Sequence, residues 1–367
     1  MGITVYPFWG GGASGGDGSG IGIGAVVRFL DAGTSQPHIE RDGAVYVRSS
    51  VYVPVDPALH DLAEIAAVCP RIRVYTESQV SGTTAYLRAL AWNGSVIVVV
   101  GDNGTLRTSP DGIIWTARTS GISSALLGVF WTGSLFVAVA SGGKIITSPD
   151  GVTWTVLESG APALNLNTGA SSGPLAIIIG DSGTILTSPD GITWTARTSG
   201  VLDSLFGICW TGSLFVAVGA NGTILTSPDG ITWTARTSGV TDHLYRAQWD
   251  GARLVVTGNN GTILTSPDGI TWTAQTSQTA DDISVLIWDG SQYVAMAGGI
   301  FLTSPDGITW TVIACVTTYL TALEWVGAHF VGVGSSGKIV TFESLSTPLT
   351  LYFSGLTGKV SDYMRVK

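Results

Sequence analysis

Two adjacent carboxylates, Asp281 and Asp282, are the pair in this 367-residue chain whose spacing first suggests general acid–base work. Neighbouring residues on a loop rarely aim into one cleft, so solvated loop charges are the plainer reading. Four histidines (His38, His60, His243, His329) are scattered and show no metal-ligand spacing. Three cysteines (Cys69, Cys209, Cys315) form no CxxC pair, and so odd and sparse a set suggests reduced, buried thiols. The glycine-rich runs have no lysine in phosphate-loop register. A net charge of -9 with no basic run argues against a nucleic-acid surface. No metal, cofactor or catalytic residue is therefore assigned, and the expectation is a protein that is not an enzyme.

The polar side chains that recur at a fixed spacing are a serine and an aspartate. "ILTSPDGITWTARTSG" stands unchanged at 185–200 and 224–239. The tetrapeptide SPDG begins at Ser109, Ser148, Ser188, Ser227, Ser266 and Ser304, in steps of 39, 40, 39, 39 and 38 residues. A seventh unit keeps the frame without the tetrapeptide, as "SSGKIVTFES" at 335–344. A second marker precedes each box: "WNG" at 92, "WTG" at 131 and 210, "WDG" at 249 and 288, "WVG" at 325. The third unit is degenerate there. Seven units then run from Thr84 to Phe353, and a fixed period near 40 is the signature of a solenoid or propeller.

Each unit reads as four short strands. In the fourth they are "LFGICW", "LFVAVG", "TILTS" and "ITWTART", joined at "TG", "AN-G" and "PDG". Val, Ile, Leu, Phe, Thr and Trp fill the runs, and no helical period appears. The chain is 45% hydrophobic but only 12% charged, with 50 glycines, which suits many turns around a large core. The expected fold is all-β: a seven-bladed β-propeller of four-stranded repeats.

In SPDG, proline fixes φ at the second turn position, aspartate tolerates the third and glycine takes positive φ at the fourth. Serine and aspartate side chains can accept nearby backbone N–H groups and lock the turn. The following tryptophan can cover it. Of 13 tryptophans, six follow the boxes, six stand in the first marker, and Trp9 alone lies outside. A structural role is therefore assigned to Ser109, Asp111 and Trp115; Ser148, Asp150 and Trp154; Ser188, Asp190 and Trp194; Ser227, Asp229 and Trp233; Ser266, Asp268 and Trp272; and Ser304, Asp306 and Trp310. An enzyme needs one convergent site, not six equivalent ones around a ring.

These units resemble Asp-box (BNR) repeats, found in sialidases and in propellers like the photosystem II assembly and stability factor. The family pattern is S-x-D-x-G-x-T-W. Here "SPDGITW" is one residue shorter between Asp and Gly, so the family's hydrogen bonds do not carry over position by position. The resemblance implies a propeller with non-catalytic boxes at the blade periphery. A sialidase would need three clustered arginines, a Tyr–Glu pair and an acid. Arg118, Arg197 and Arg236 instead share the frame "TART" on an edge strand and cannot converge on the axis.

The repeats differ before each first strand: "ISSALL" at 122–127, "APALNLN" at 161–167, "VLDSLF" at 201–206, "VTDHLYR" at 240–246, "TADDIS" at 279–284 and "VTTYLT" at 316–321. The tips between second and third strands differ too. In a propeller both loop sets emerge on one face, at the mouth of the axial channel, and the boxes and W-x-G turns emerge on the other. The varied face carries Asp203, Asp242, His243, Tyr245, Arg246, Asp281, Asp282 and Tyr319. Such residues suit recognition of carbohydrate or another polar surface by hydrogen bonds and ring stacking. They are the candidate receptor-binding residues, with neutral drift of surface loops as the competing explanation.

Residues 1–24 form a Gly-rich arm, read as a linker or a segment that orders against a partner. Residues 25–81 read as a small α+β attachment module, with strand character in "AVYVRSSVYVPV" and a helix in "DPALHDLAEIAAV". The propeller spans 82–353 and a tail 354–367. Either "RIRVYTES" or "LTLYF" at 349–353 could supply the outer strand of the last blade, and "LTLYF" continues the seventh unit in frame. The N-terminus has no signal-peptide pattern, and no apolar run is long enough to span a membrane.

Low charge, tandem near-copies and an arm followed by a ring also resemble, in general style, bacteriophage tail-fibre or baseplate proteins. That resemblance implies synthesis in a host cytoplasm, a place in the virion tail, docking to other tail proteins through residues 1–81, a host surface glycan or protein as ligand, and a homo-trimer. It is the first functional expectation. The alternative is an assembly-factor or scaffold propeller that binds a protein complex, and a glycan hydrolase of sialidase-like fold is the third.

Overall fold

Repeated short apolar runs, punctuated by turns rich in glycine, asparagine, serine and proline, pair with their nearest neighbours in sequence. The result is seven four-stranded antiparallel sheets. The computed structural model describes residues 77–157, 160, 163–315 and 319–342. It also gives the strands Ile3–Pro7, Ala25–Phe29, His38–Ile39, Val45–Tyr46, Leu351–Tyr352 and Arg365–Val366. The helix expected at 56–68 lies outside the described residues.

The blades are numbered 1 to 7 as the repeats are. Their inner strands are Leu87–Trp92, Leu126–Trp131, Leu166–Ser171, Leu205–Trp210, Leu244–Trp249, Ile283–Trp288 and Leu320–Trp325. Each inner strand neighbours the next, and the seventh neighbours the first, so the ring closes. The degenerate third unit makes a full blade, with Ser171 where the others have tryptophan. The second strands, such as Phe215–Gly219 and Leu254–Gly258, are buried at every residue. Between blades 4 and 5, Val216, Val218 and Leu264 pack with Leu244, Leu254 and Val256, flanked by Trp249 and Trp272. The seams on either side of blades 1 to 4 repeat this arrangement with the box tryptophan at the edge, whereas between blades 5 and 6 Trp310 is buried within the core. Burial of apolar surface between blades is the main stabilising term.

The closing strand differs from expectation. Blade 7 takes its outer strand from Glu77–Gln79, which pairs with Ile339–Thr341. Leu351–Tyr352 pairs instead with Arg365–Val366. Gln79 shows why the N-terminal segment fits: its Nε2 donates to Thr341 Oγ1, as Gln275 donates to Thr265 and Arg236 to Thr226 in their blades. Arg107 secures the link that follows, donating from Nε to the Ser81 carbonyl and from Nη2 to the Gly82 carbonyl. Ile3–Pro7, at the start of the Gly-rich segment, pairs antiparallel with Ala25–Phe29.

In the SPDG turns, the serine Oγ donates to the aspartate Oδ1 at 2.8 to 3.1 Å in all six boxes. That Oδ1 also accepts the backbone N–H groups of the second and third residues after it, as in Asp190 with Ile192 and Thr193. These N–H donors hold the carboxyls of Asp111, Asp150, Asp229 and Asp268 below the usual range, and that of Asp190 falls to about 2. Five box tryptophans donate their indole N–H to the box glycine carbonyl. Arg118, Arg197 and Arg236 lie on outer strands, each donating to a threonine of its own blade.

Candidate functional site: the mouth of the propeller

The two varied loop sets share one face because they are hydrogen-bonded to each other. The tip N–H of Gly222 in blade 4 donates to the Asp242 carbonyl on the connector into blade 5, and Gly104 and Gly337 repeat this at their seams. The contact is so close that a Cβ on Gly222 would lie 2.0 Å from the Val240 carbonyl oxygen, and its φ is +72°. Glycine is therefore obligatory at the tip.

Several expected ligand residues are taken up by this interlocking. Asp203 accepts from Asn221 Nδ2 at 2.8 Å and Thr223 Oγ1 at 2.9 Å. Asp242 accepts from Asn260 Nδ2 at 2.7 Å and Thr262 Oγ1 at 3.0 Å. His243 Nδ1 accepts the Asn221 N–H, and Asp282 Oδ1 accepts the Asn260 N–H, at one and the same repeat position. Asp281 and Asp282 do point apart. The Asp281 carboxylate lies against Gly298, whose tip has no asparagine to donate to it. Tyr319 is exposed.

Arg246 lies inside the inner strand of blade 5 rather than in a loop. It occupies the repeat position of Gly128, Gly207 and Ala322 and is half-buried. Its Nη1 donates to the Tyr245 carbonyl at 3.1 Å, and burial pushes the guanidinium pKa down. Glu324, in the inner strand of blade 7, was not singled out from the sequence. Burial raises its carboxyl to about 7.

A ring of seven residues was also missed as a set. Every inner strand carries a register shift after its first residue, between Leu87/Ala89, Leu126/Gly128, Leu166/Thr168, Leu205/Gly207, Leu244/Arg246, Ile283/Val285 and Leu320/Ala322. The skipped residue is a bulge, a device that re-aims a side chain and ends regular pairing. The seven bulge residues are Arg88, Leu127, Asn167, Phe206, Tyr245, Ser284 and Thr321, all half-buried. The residue before each is leucine or isoleucine throughout, and the strand ends in tryptophan in six of seven blades. One position that differs in every blade thus directly follows a held leucine or isoleucine, beside the varied loops. Alignment of the repeats contains that signal, but the bulge that gives it meaning is invisible in sequence.

The ring is chemically uneven. Arg88 pairs with Asp102 and lies 5.0 Å from the centre of the Tyr86 ring. Asn167 Nδ2 donates to Asp181 Oδ1 and to the Leu205 carbonyl. Phe206 and Tyr245 stand 6.0 Å apart with planes tilted by 47°, and His243 meets Phe206 edge-on. Thr321 Oγ1 donates to the Leu87 carbonyl across the closing seam. Among the described residues no group of three His, Cys, Asp or Glu could hold a metal, and no helix is long and apolar enough to cross a membrane.

No family model and no curated protein matches the chain. Solved structures do. "YCF48 bound to D1 peptide" is 20% identical with a TM-score of 0.62, covering 75% of this chain and 97% of that one. YCF48 from Cyanidioschyzon merolae is 17% identical at TM-score 0.59, covering 73% and 98%. The WD40 β-propeller domain of Doa1 is 14% identical at TM-score 0.59, covering 74% and 98%. At these identities the likeness is one of fold, with sequences that differ widely from this one.

Proposed function

We propose that the chain is a non-catalytic binding propeller that takes a segment of a partner protein at the mouth of its axial channel. The observation that carries this is the ring of seven bulge residues, different in every blade, each preceded by leucine or isoleucine and lying beside the varied loops. Repeats built to one plan diversify where the scaffold does not need them alike. Asp203 and Asp242 are engaged by loop hydrogen bonds, which supports a role for them in holding the mouth loops together. One similar propeller is described as bound to a peptide. That supports the scaffold or assembly-factor alternative over mounting on a phage tail, for which the comparisons offer nothing.

The test is selection of displayed peptides on the full-length chain, beside a panel of bacterial surface polysaccharides. Selected peptides should lose affinity about tenfold or more when Phe206 and Tyr245 are replaced by alanine, as expected for central aromatic anchors. Saturable polysaccharide binding without peptide binding would reject the protein-segment reading in favour of a glycan.

A further inference from the structure

We propose that the notch between blades 4 and 5 accepts a cationic side chain, a lysine or arginine from a basic segment of the partner. The cation sits over the Phe206 and Tyr245 rings with Asp282 as its counter-charge. This rests on the binding reading above and specifies its ligand.

Phe206 and Tyr245 are the bulge residues of adjacent blades, so both rings are lifted out of the regular sheet at the rim. Their centroids lie 6.0 Å apart and their planes are tilted by 47°, which leaves a wedge rather than a closed stack. Aromatic faces attract a cation within about 6 Å of the centroid. No other seam places two aromatic residues at this position; the neighbouring bulges are Leu127, Asn167, Ser284 and Thr321. Asp282 is near enough to the Tyr245 hydroxyl to add to the rise that burial causes in its pKa. Its Oδ1 holds the Asn260 N–H, and the residue is exposed.

The charge around the notch has the matching sign. The connectors into blades 4, 5 and 6 carry Asp203, Asp242, Asp281 and Asp282. The cation nearest in the chain, Arg246, lies deeper, with its Nη1 on the Tyr245 carbonyl. The side-chain ion pair found among the described residues is Arg88–Asp102 in blade 1, so Asp282 is not neutralised by Arg246. His243 Nδ1 accepts the Asn221 N–H. Leu202, exposed on the connector into blade 4, offers apolar surface for the methylene stem of a lysine.

The experiment uses the full-length chain labelled with fluorotyrosine, with the Tyr245 signal identified through Y245F. The probes are short Gly/Ser peptides carrying one central Lys, Arg, norleucine or Glu. Lys and Arg peptides should shift the Tyr245 signal, and norleucine and Glu peptides should not. D282N keeps an acceptor for the Asn260 N–H but removes the charge, and should weaken Lys binding about tenfold with unchanged melting. Equal binding of norleucine and Lys, or no effect of D282N, would overturn the proposal. Peptides that shift mouth tyrosines other than Tyr245 would overturn the notch while leaving the binding reading standing. If no peptide perturbs any mouth residue, both fail.

Discussion

Arg88 on the inner strand of blade 1 pairs with Asp102 at the tip of the same blade, 14 residues on. The same interval joins Asn167 to Asp181 in blade 3 and Tyr245 to Asn259 in blade 5. Phe206 faces the same interval to Ala220, and Leu127 to Ser141. Bulge and tip are polar with polar in blades 1, 3, 5 and 7 and apolar with small in blades 2 and 4, while blade 6 sets Ser284 against Gly298. Exchange of such a pair between blades should therefore leave the frame intact. Replacing Arg88 and Asp102 together by the Leu and Ser of blade 2 should shift stability by about 1 kcal/mol or less, because the ion pair is partly exposed. Urea denaturation of the double variant checks this, and a loss well beyond that would show the pair to be structural.

Asp203 and Asp242 should behave as scaffold. D203A leaves the Asn221 carboxamide and Thr223 hydroxyl without their shared acceptor, at a cost of about 1–3 kcal/mol. D281A removes no such bonds and should cost less. Equal losses in denaturant for D203A and D281A would contradict the assignment.

Arg107 should hold the closing seam. It stands where blades 3, 4 and 5 have Leu186, Leu225 and Leu264, and it binds the carbonyls of Ser81 and Gly82. R107L should lower the melting temperature and speed hydrogen exchange at Glu77–Gln79 before other outer strands. Uniform exchange across all blades would contradict a seam role.

Two sets of carboxyls should respond to pH in opposite ways. The box aspartates have folded pKa values below their unfolded ones, and that of Asp190 is about 2. Their stabilisation is complete above the unfolded value of about 3.9 and is lost as pH falls from there through the folded values. Glu324 is raised from 4.5 to about 7, so stability tied to it is present below 4.5 and declines as pH rises through 7. E324Q should therefore raise the melting temperature at pH 8 and leave it nearly unchanged near pH 4. An equal gain at both values would show a packing effect instead.

The seven blades and their box turns were legible because Trp, Asp and positive-φ Gly recur where the fold demands those types. The bulge ring was not legible as a unit, because a register shift imposes no residue type. Arg, Leu, Asn, Phe, Tyr, Ser and Thr all occupy it. Asp203 and Asp242 read as ligand residues because they lie in varied segments. Their common repeat register with Asn221 and Asn260 was the overlooked sign of scaffold. Glu77–Gln79 was legible only in part, as the end of the candidate "RIRVYTES", because a three-residue outer strand has no apolar alternation to rank it first. Leu351–Tyr352 misled because it is apolar and in frame.

The central claim is that the mouth of the ring, not the box face, meets the partner. Its most direct test places a photo-crosslinking residue at Phe206 in one variant and at Ile231, exposed in the blade 4 box, in another. With peptides selected on the unmodified chain, the account predicts crosslinks from position 206 and none from 231. Crosslinks from 231 alone would contradict it and move the binding surface to the uniform face.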